Sequence, residues 1–366
     1  MRVTDKDISF MKKAISLASK ARGMTSPNPM VGAILVKNGK VIASDYHRRP
    51  GQPHAEALVI KTAGEKARDA TLYVSLEPCC HKDKRTPPCT EAIINSGIKR
   101  VYVAMEDPNP KVSGKGIKEL IEAGIEVFTG ILEGEARRLN EAYSKYITTK
   151  RPFVILKVAM TLDGKIATPE GQSKWITGER SRRTVHRIRN GVDAVITGIG
   201  TVKADDPLLT VRGIRPLRTN RPLRVVIDPN FEVPLKSRIL SKPPETMIVI
   251  REGADAEKKE ELLKRGIRIM EYPGGNIELR WLMERLADVG ITSVLIEGGS
   301  SLNARALEEG IVDKVLFFIA PKIIGGRESY PAVGGKTFRN LEEAHRVKDI
   351  KIRRIGEDIL VEGYIY

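Results

Sequence analysis

His54-Ala55-Glu56, followed by Pro78-Cys79-Cys80 and then by Pro87-Pro88-Cys89, is the stretch from which the chain is best read. All the cysteines of the protein, Cys79, Cys80 and Cys89, fall within eleven positions. One imidazole and two thiolates supply three zinc ligands and leave the fourth tetrahedral corner to water, as in a catalytic rather than a closed structural site. His54, Cys79 and Cys89 are therefore the candidate ligands, and Glu56 is the candidate proton carrier. If His54 opens a helix, its ring and the Glu56 carboxylate do not share a side face, because residues two apart do not face each other. Both still reach an ion lying off the helix N-terminus, since helical side chains tilt that way. Cys89 also reads as a helix start, where the helix dipole lowers a thiol pKa.

The 366 residues suffice for two domains of ordinary size, and 41% hydrophobic with 30% charged residues is a globular composition. The opening MRVTDKDISF lacks a basic-then-apolar signal segment, and no run of about 18 apolar residues suggests a membrane span, so we expect a cytoplasmic protein with no membrane partner. Three clustered cysteines make a poor disulfide framework for so long a chain and suit a metal better. The net charge of +16, from 62 basic and 46 acidic residues, attracts polyanions or small molecules carrying phosphates. With only 5% aromatics, no arginine-rich tail and no basic stretch interleaved with aromatics, we expect no nucleic-acid partner. An assembly of identical chains is expected.

Along the chain, Thr4 and Asp7 cap a first helix with Ile8, Met11, Ala14, Ile15 and Ala18 at helical spacing, closed by Gly23. VGAILV and VIAS read as strands joined at Asn38-Gly39, a strong hairpin signal. The segment 54–63 reads as a helix, ATLYVSL as a strand, CTEAIINSG as a helix and KRVYVAM as a strand, and GIKELIEAG with IEVFTG repeats the pattern. Strands alternating with helices after an opening hairpin predict a three-layer α/β/α domain with a mixed sheet. EARRLNEAYSKYITTK reads as one charged helix leading to a boundary near residue 148. Beyond it VDAVITG, LRVVID, TMIVI, IRIMEY, SVLIEGG and KVLFFIA read as strands of a second α/β domain. The predicted domains are 1–147 and 148–366.

H-x-E followed by P-C and a later Cys is the signature of zinc nucleobase deaminases, in which a glutamate moves protons for a zinc-activated water. Glu56 would take a proton as general base and return it to the departing amine as general acid. The competing readings are a zinc closed by Cys80 or His81 as fourth ligand, and cysteines that are simply buried. Nucleic-acid deaminases carry Cys-x-x-Cys, whereas nine residues separate Cys79 from Cys89 here. The intervening Lys82, Lys84 and Arg85 either meet a substrate phosphate or belong to a solvated loop.

In the second domain two glycine turns stand out. Gly198-Ile199-Gly200-Thr201 follows VDAVITG, and Gly298-Gly299-Ser300-Ser301 follows SVLIE and leads into a helix. Such turns let backbone N–H groups approach a phosphate, and equally they are plain strand-to-helix punctuation. No G-x-G-x-x-G occurs, so a Rossmann domain is excluded on pattern.

The segments TSPNPMVGA, GQPHAEALVI and EPCCHKDKRTPPC, with RPFVILKVAMTLDGKIA, QSKWITG, GTVKADDPLLT and SVLIEGGSSL, resemble the RibD family of bifunctional riboflavin-biosynthesis deaminase-reductases over nearly the whole chain. The resemblance implies a cytidine-deaminase-like N-terminal domain and a dihydrofolate-reductase-like C-terminal domain. It implies zinc-dependent deamination of 2,5-diamino-6-(5-phosphoribosylamino)pyrimidin-4-one, a phosphorylated ribosyl pyrimidine, and then NADPH-dependent reduction of the ribosyl group to ribityl. By the same resemblance His54, Cys79 and Cys89 hold Zn2+, Glu56 is the catalytic acid and base, and Asn28 hydrogen-bonds the substrate ring. The family's usual Cys-to-Cys gap is one residue shorter than here, and the Pro-Cys order selects Cys79 over Cys80. Ala159, Trp175, Thr201, Asp205, Gly298, Gly299, Ser300, Ser301 and Leu302 would hold NADPH. Ser173, Leu209, Glu297, Arg189 and Arg212 would hold the substrate, the two arginines suiting its phosphate through bidentate bonds. Lys157 and Asp163 would lie near the ribose, with Asp163 equally readable as a turn former before Gly164. A deaminase of nucleic acid or nucleotides with an appended binding domain is the runner-up, and a zinc-stabilised binding protein without catalysis the third reading.

Overall fold

In the computed structural model the described residues are 3–81, 87–218, 222–335 and 340–365. The chain divides into two compact units, Met1–Lys150 and Arg151–Tyr366.

The first unit opens with α1 (Asp5–Ser19), started by a capping box in which the Thr4 side chain bonds the Asp7 N–H and the Asp7 carboxylate bonds back to Thr4. The helix stops four residues before the expected Gly23. After Ser19 the N–H groups of Ala21, Arg22 and Met24 turn to carbonyls three residues back, so the end tightens into successive turns. α1 buries Met11, Ala14, Ile15 and Ala18 against β1 (Gly32–Lys37), and a Cβ on Gly32 would lie 2.2 Å from the Ala14 carbonyl oxygen. Only glycine permits that approach. β1 pairs with β2 (Lys40–Tyr46) across Asn38 (φ 52°) and Gly39 (φ 72°), the two left-handed residues of a tight hairpin.

Next come α2 (Ala55–Ala63), β3 (Thr71–Val74), α3 (Cys89–Asn95), β4 (Arg100–Val103), α4 (Lys115–Glu122) and β5 (Glu126–Thr129). The sheet order is β2-β1-β3-β4-β5, antiparallel through β1 and parallel from β3 to β5. α2, α3 and α4 pack in series. The expected last helix is two, α5 (Glu133–Leu139) and α6 (Glu141–Thr149), broken at Asn140 (φ −104°, ψ 21°) and the former packed on α1. The break has a distant cause, because the Asn140 amide is bonded to the backbone of Met30.

The second unit contains β6 (Phe153–Thr161), β7 (Lys165–Ala167), α7 (Glu179–Gly191), β8 (Ala194–Gly198), α8 (Ile199–Asp205), β9 (Leu223–Ile227), β10 (Thr246–Arg251), α9 (Ala256–Lys264), β11 (Arg268–Tyr272), α10 (Leu279–Asp288), β12 (Ser293–Ile296), α11 (Ser300–Glu308), β13 (Lys314–Ala320), β14 (Tyr330–Pro331), β15 (Val347–Ile355) and β16 (Asp358–Ile365). Its main sheet runs β11-β10-β9-β8-β12-β6-β13-β16-β15, parallel from β11 to β13 and antiparallel at the last two strands. The central strands are near-continuous apolar runs, as strands covered on both faces must be, and Val154, Leu156, Val225, Val294 and Leu295 are fully buried. Arg224 in β9 is buried too. Its guanidinium donates to the carbonyls of Leu208, Ser241 and Pro244, while Nε is buried without a partner. Among the described residues, no helix is long and apolar enough to cross a membrane.

Candidate active sites

In the first unit His54 is the N-cap of α2, with extended backbone, and Glu56 lies in the first turn. Cys89 is the first residue of α3, and the Cys79 carbonyl accepts from the N–H groups of Cys89 (2.9 Å) and Thr90 (3.3 Å). The start of α3 is thus closed by the residue that carries the second thiol. Because α2 and α3 pack together, the imidazole arrives at the same point. His54 Nδ1 lies 3.2 Å from Cys89 Sγ and 3.4 Å from Cys79 Sγ. Tetrahedral zinc with ordinary bond lengths would set nitrogen and sulfur about 3.6 Å apart. Among the described residues these three form the group able to hold a metal ion, and neither Cys80 nor His81 belongs to it. Burial, followed by Glu119 and Glu77, pushes the Cys80 thiol up and away from its ligating form.

Glu56 is 2% exposed, and its Oε2 has no hydrogen-bond partner. Burial raises its carboxyl above the usual range. A buried acceptor left unbonded costs free energy, so its place beside three soft and borderline donors fits a centre built around a bound cation. Asn28 Nδ2 donates to His47 Nε2 (3.3 Å), while His47 Nδ1 donates to the Pro53 carbonyl (3.2 Å). That pairing fixes the tautomer, and burial lowers the His47 pKa, so the ring is neutral. Its edge meets the His54 ring at 5.2 Å between centroids. Lys82, Lys84 and Arg85 lie outside the described residues.

In the second unit the structure gathers Lys157 of β6, Arg189 at the end of α7 and Glu297 just after β12. Arg189 Nη2 donates to Glu297 Oε2 (2.9 Å), its Nε donates to Oε1, and its Nη1 donates to the Thr210 carbonyl (3.1 Å). Lys157 Nζ lies 3.0 Å from the same Oε2. Burial opposes the charge on Glu297, yet Arg189 and Lys157 together hold its carboxyl well below the usual range. Ala159 follows on the same face of β6 as Lys157, since strand side chains alternate.

Ser173 and Asp205 meet each other, the hydroxyl donating to Oδ1 at 2.7 Å. Trp175 is 61% exposed, with the Arg182 guanidinium 4.5 Å over its ring and its carbonyl accepting from Lys322 Nζ. Gly299 is the N-cap of α11, which begins at Ser300 and Ser301 and buries Leu302. A Cβ on Gly298 would press on the Leu302 side chain at 2.9 Å, and one on Gly299 would lie 3.5 Å from Thr201 Oγ1. The two glycine turns therefore face each other across a gap that a larger side chain would fill, and this suits a phosphate-bearing cofactor. Leu209 is buried with a left-handed backbone (φ 48°), next to the Leu208 carbonyl that Arg224 holds. Arg212 is exposed, with its backbone N–H donating to His186 Nδ1. Asp163 accepts from the Thr161 hydroxyl and from the N–H groups of Ile324 and Gly325, which lowers its pKa to about 2. Its carboxylate is thus engaged in fastening the 322–326 loop.

Sequence reasoning passed over His47, although one of only five histidines lying seven residues before the ligand was a usable signal. It also passed over Asn140, whose partner Met30 is 110 positions away, and Arg224, whose partners are loop carbonyls.

Residues 4–105 match the cytidine and deoxycytidylate deaminase zinc-binding region, and residues 152–361 match the RibD C-terminal domain. The chain is 46% identical to the riboflavin biosynthesis protein RibD of Aquifex aeolicus, covering 97% of each chain. It is 39% identical to the Escherichia coli RibD, over 96% of this chain and 98% of that one. A solved structure from Thermotoga maritima, described as a diaminohydroxyphosphoribosylaminopyrimidine deaminase/5-amino-6-(5-phosphoribosylamino)uracil reductase, superimposes with a TM-score of 0.88 at 37% identity, over 99% of both chains. Acinetobacter baumannii RibD superimposes equally well, with a TM-score of 0.88 at 38% identity and 99% of both chains covered. Two family matches in chain order, with full-length relatives at this identity, make the chain a member of the RibD family.

Proposed function

We propose that the first unit hydrolytically deaminates 2,5-diamino-6-(5-phosphoribosylamino)pyrimidin-4-one and that the second reduces the ribosyl group of the product to ribityl with NADPH. The observation that carries the reading is the trio His54, Cys79 and Cys89 beside the unbonded, buried Oε2 of Glu56. When bound, zinc supplies Lewis acidity to a water molecule and NADPH supplies a hydride.

The residues divide the remaining work. Glu56 Oε2 accepts the proton of the attacking water and returns one to the leaving nitrogen, which departs as ammonia. Asn28 already has one N–H on His47, so its carbonyl oxygen and its second N–H are what it offers the pyrimidine ring. In the second unit Gly298, Gly299, Ser300, Ser301 and Leu302, with Thr201, Asp205, Trp175 and Ala159, hold the cofactor. Lys157, Ser173, Leu209 and Glu297 line the substrate. Arg189 gives three of its five N–H groups to Glu297 and the Thr210 carbonyl, and with Arg212 it offers the rest to the substrate phosphate. Burial lowers the Arg212 pKa and the charges of Arg189 and Arg238 lower it further, a cost that a bound anion relieves. A net charge of +16 supports a phosphorylated substrate. A cytoplasmic location and a homo-oligomeric assembly belong to the same proposal.

The test is Glu56→Gln. Zinc content and NADPH-dependent reduction should persist while ammonia release from the diaminopyrimidine disappears. Loss of both activities from a folded variant would contradict the assignment.

A further inference from the structure

We propose that Asn140 is a positioning residue for deamination, fixing the 25–30 segment through Met30 so that Asn28 meets the pyrimidine ring. The inference rests on the deaminase reading of the first unit.

Asn140 is 1% exposed and grips the backbone of one residue at two points. Its Oδ1 accepts from the Met30 N–H (2.8 Å), and its Nδ2 donates to the Met30 carbonyl (3.0 Å) across 110 positions of sequence. Two bonds to one residue fix both its place and its rotation, as a neighbouring strand would. The 25–30 segment needs such an anchor, because Pro27 and Pro29 flank Asn28 and neither has an N–H to donate.

A helix-breaking asparagine ordinarily spends its side chain on capping the next helix. Asn140 does not, for α6 has no side-chain cap bond; its side chain goes to Met30 instead. The interruption between α5 and α6 is therefore explained by Met30. From there a run of direct contacts leads to the metal-ligand trio. The Val31 carbonyl accepts from the His47 N–H (2.8 Å), Asn28 Nδ2 donates to His47 Nε2, and the His47 ring lies edge-on to His54. Asn140 bonds to Met30 and not to the metal-ligand trio, and on this proposal its influence on the pyrimidine passes through Asn28.

That requirement sets the experiment. Deamination by the zinc-loaded full chain is measured for the wild type, Asn140→Ala, Asn28→Ala and the double variant. Asn140→Ala should raise KM for the diaminopyrimidine about tenfold and change kcat less than about threefold, the scale of one hydrogen bond's net contribution. Zinc content and NADPH-dependent reduction should be unchanged. The double variant should have the KM of Asn28→Ala alone, since the two act through one contact. Unchanged KM, a fall in kcat alone, or multiplied losses in the double variant would overturn the role of Asn140. Should Asn140→Ala lose zinc through misfolding, the isosteric Asn140→Asp keeps the acceptor for Met30 N–H and sets a carboxylate oxygen in place of the donor to the Met30 carbonyl. It too should raise KM, and an unaltered KM there overturns the proposal. A wild type that releases no ammonia would overturn the deaminase reading itself, an outcome separable from an active wild type with multiplied losses.

Discussion

Arg189 clasps Glu297 along two parallel bonds, Nη2 to Oε2 at 2.9 Å and Nε to Oε1, while Lys157 Nζ sits 3.0 Å from that same Oε2. One carboxylate, 6% exposed, thus faces two cations that strand and helix bring together. Charges so withdrawn from water are tolerated only as a set, and removing one partner strands the others.

Glu297→Gln should therefore lower the stability of the second unit by about 3 kcal/mol. Both tryptophans, Trp175 and Trp281, lie in that unit, so urea unfolding followed by their fluorescence reports on it alone. Because the folded carboxyl is depressed, its contribution is complete above the unfolded-state pKa and fades as pH falls through the folded one. An unshifted urea midpoint at pH 7 would show the trio to be energetically idle.

Asp107 provides the opposite sign. Burial pushes its carboxyl up to about 6, against bonds from the Asn109 N–H and the Tyr143 hydroxyl at 2.9 Å each. Between the ordinary value near 3.8 and about 6 the folded state binds the extra proton, so this group's contribution to stability falls as pH rises through that window. Asp107→Asn removes the titration. Relative to wild type, the variant should gain up to about 3 kcal/mol between pH ~4 and pH ~7. Amide exchange of β3 and β4 reads the first unit alone. A difference that stays flat with pH would refute the burial argument.

At Gly299 an added Cβ meets Thr201 Oγ1 at ordinary contact distance, so alanine fits, whereas a longer side chain fills the gap between the two glycine turns. Gly299→Leu should weaken NADPH binding by about a hundredfold, ~2.7 kcal/mol, and Gly299→Ala by only a few-fold. NADPH fluorescence titration decides it. Unaltered affinity in the leucine variant would remove the cofactor from this turn.

What was legible in the sequence was local. The Thr4-Asp7 box, the Asn38-Gly39 hairpin and the helix starts at His54 and Cys89 each follow from neighbours a few residues apart. The order of motifs carried the family and both fold types. What stayed hidden depends on partners about a hundred residues away. The break at Asn140 answers to Met30, and the fork of Arg189 answers to Glu297. β15 also escaped, because VKDIKIRRI is a mostly charged edge strand whose Ile350 and Ile352 are exposed. Arg224 lies in the apolar strand LRVVI, and three loop carbonyls hold its guanidinium there.

Stripping the metal with a chelator should abolish ammonia release while the tryptophan unfolding curve and NADPH-dependent reduction stay as they were, because the ligands all belong to the first unit. Loss of reduction along with zinc would mean that the metal supports both activities.

X-ray absorption at the zinc edge of the full chain tests the centre most directly. The account predicts two sulfurs, from Cys79 and Cys89, one imidazole nitrogen, from His54, and one oxygen from solvent at about 2.0 Å. A third sulfur or a second imidazole would close the site and contradict it.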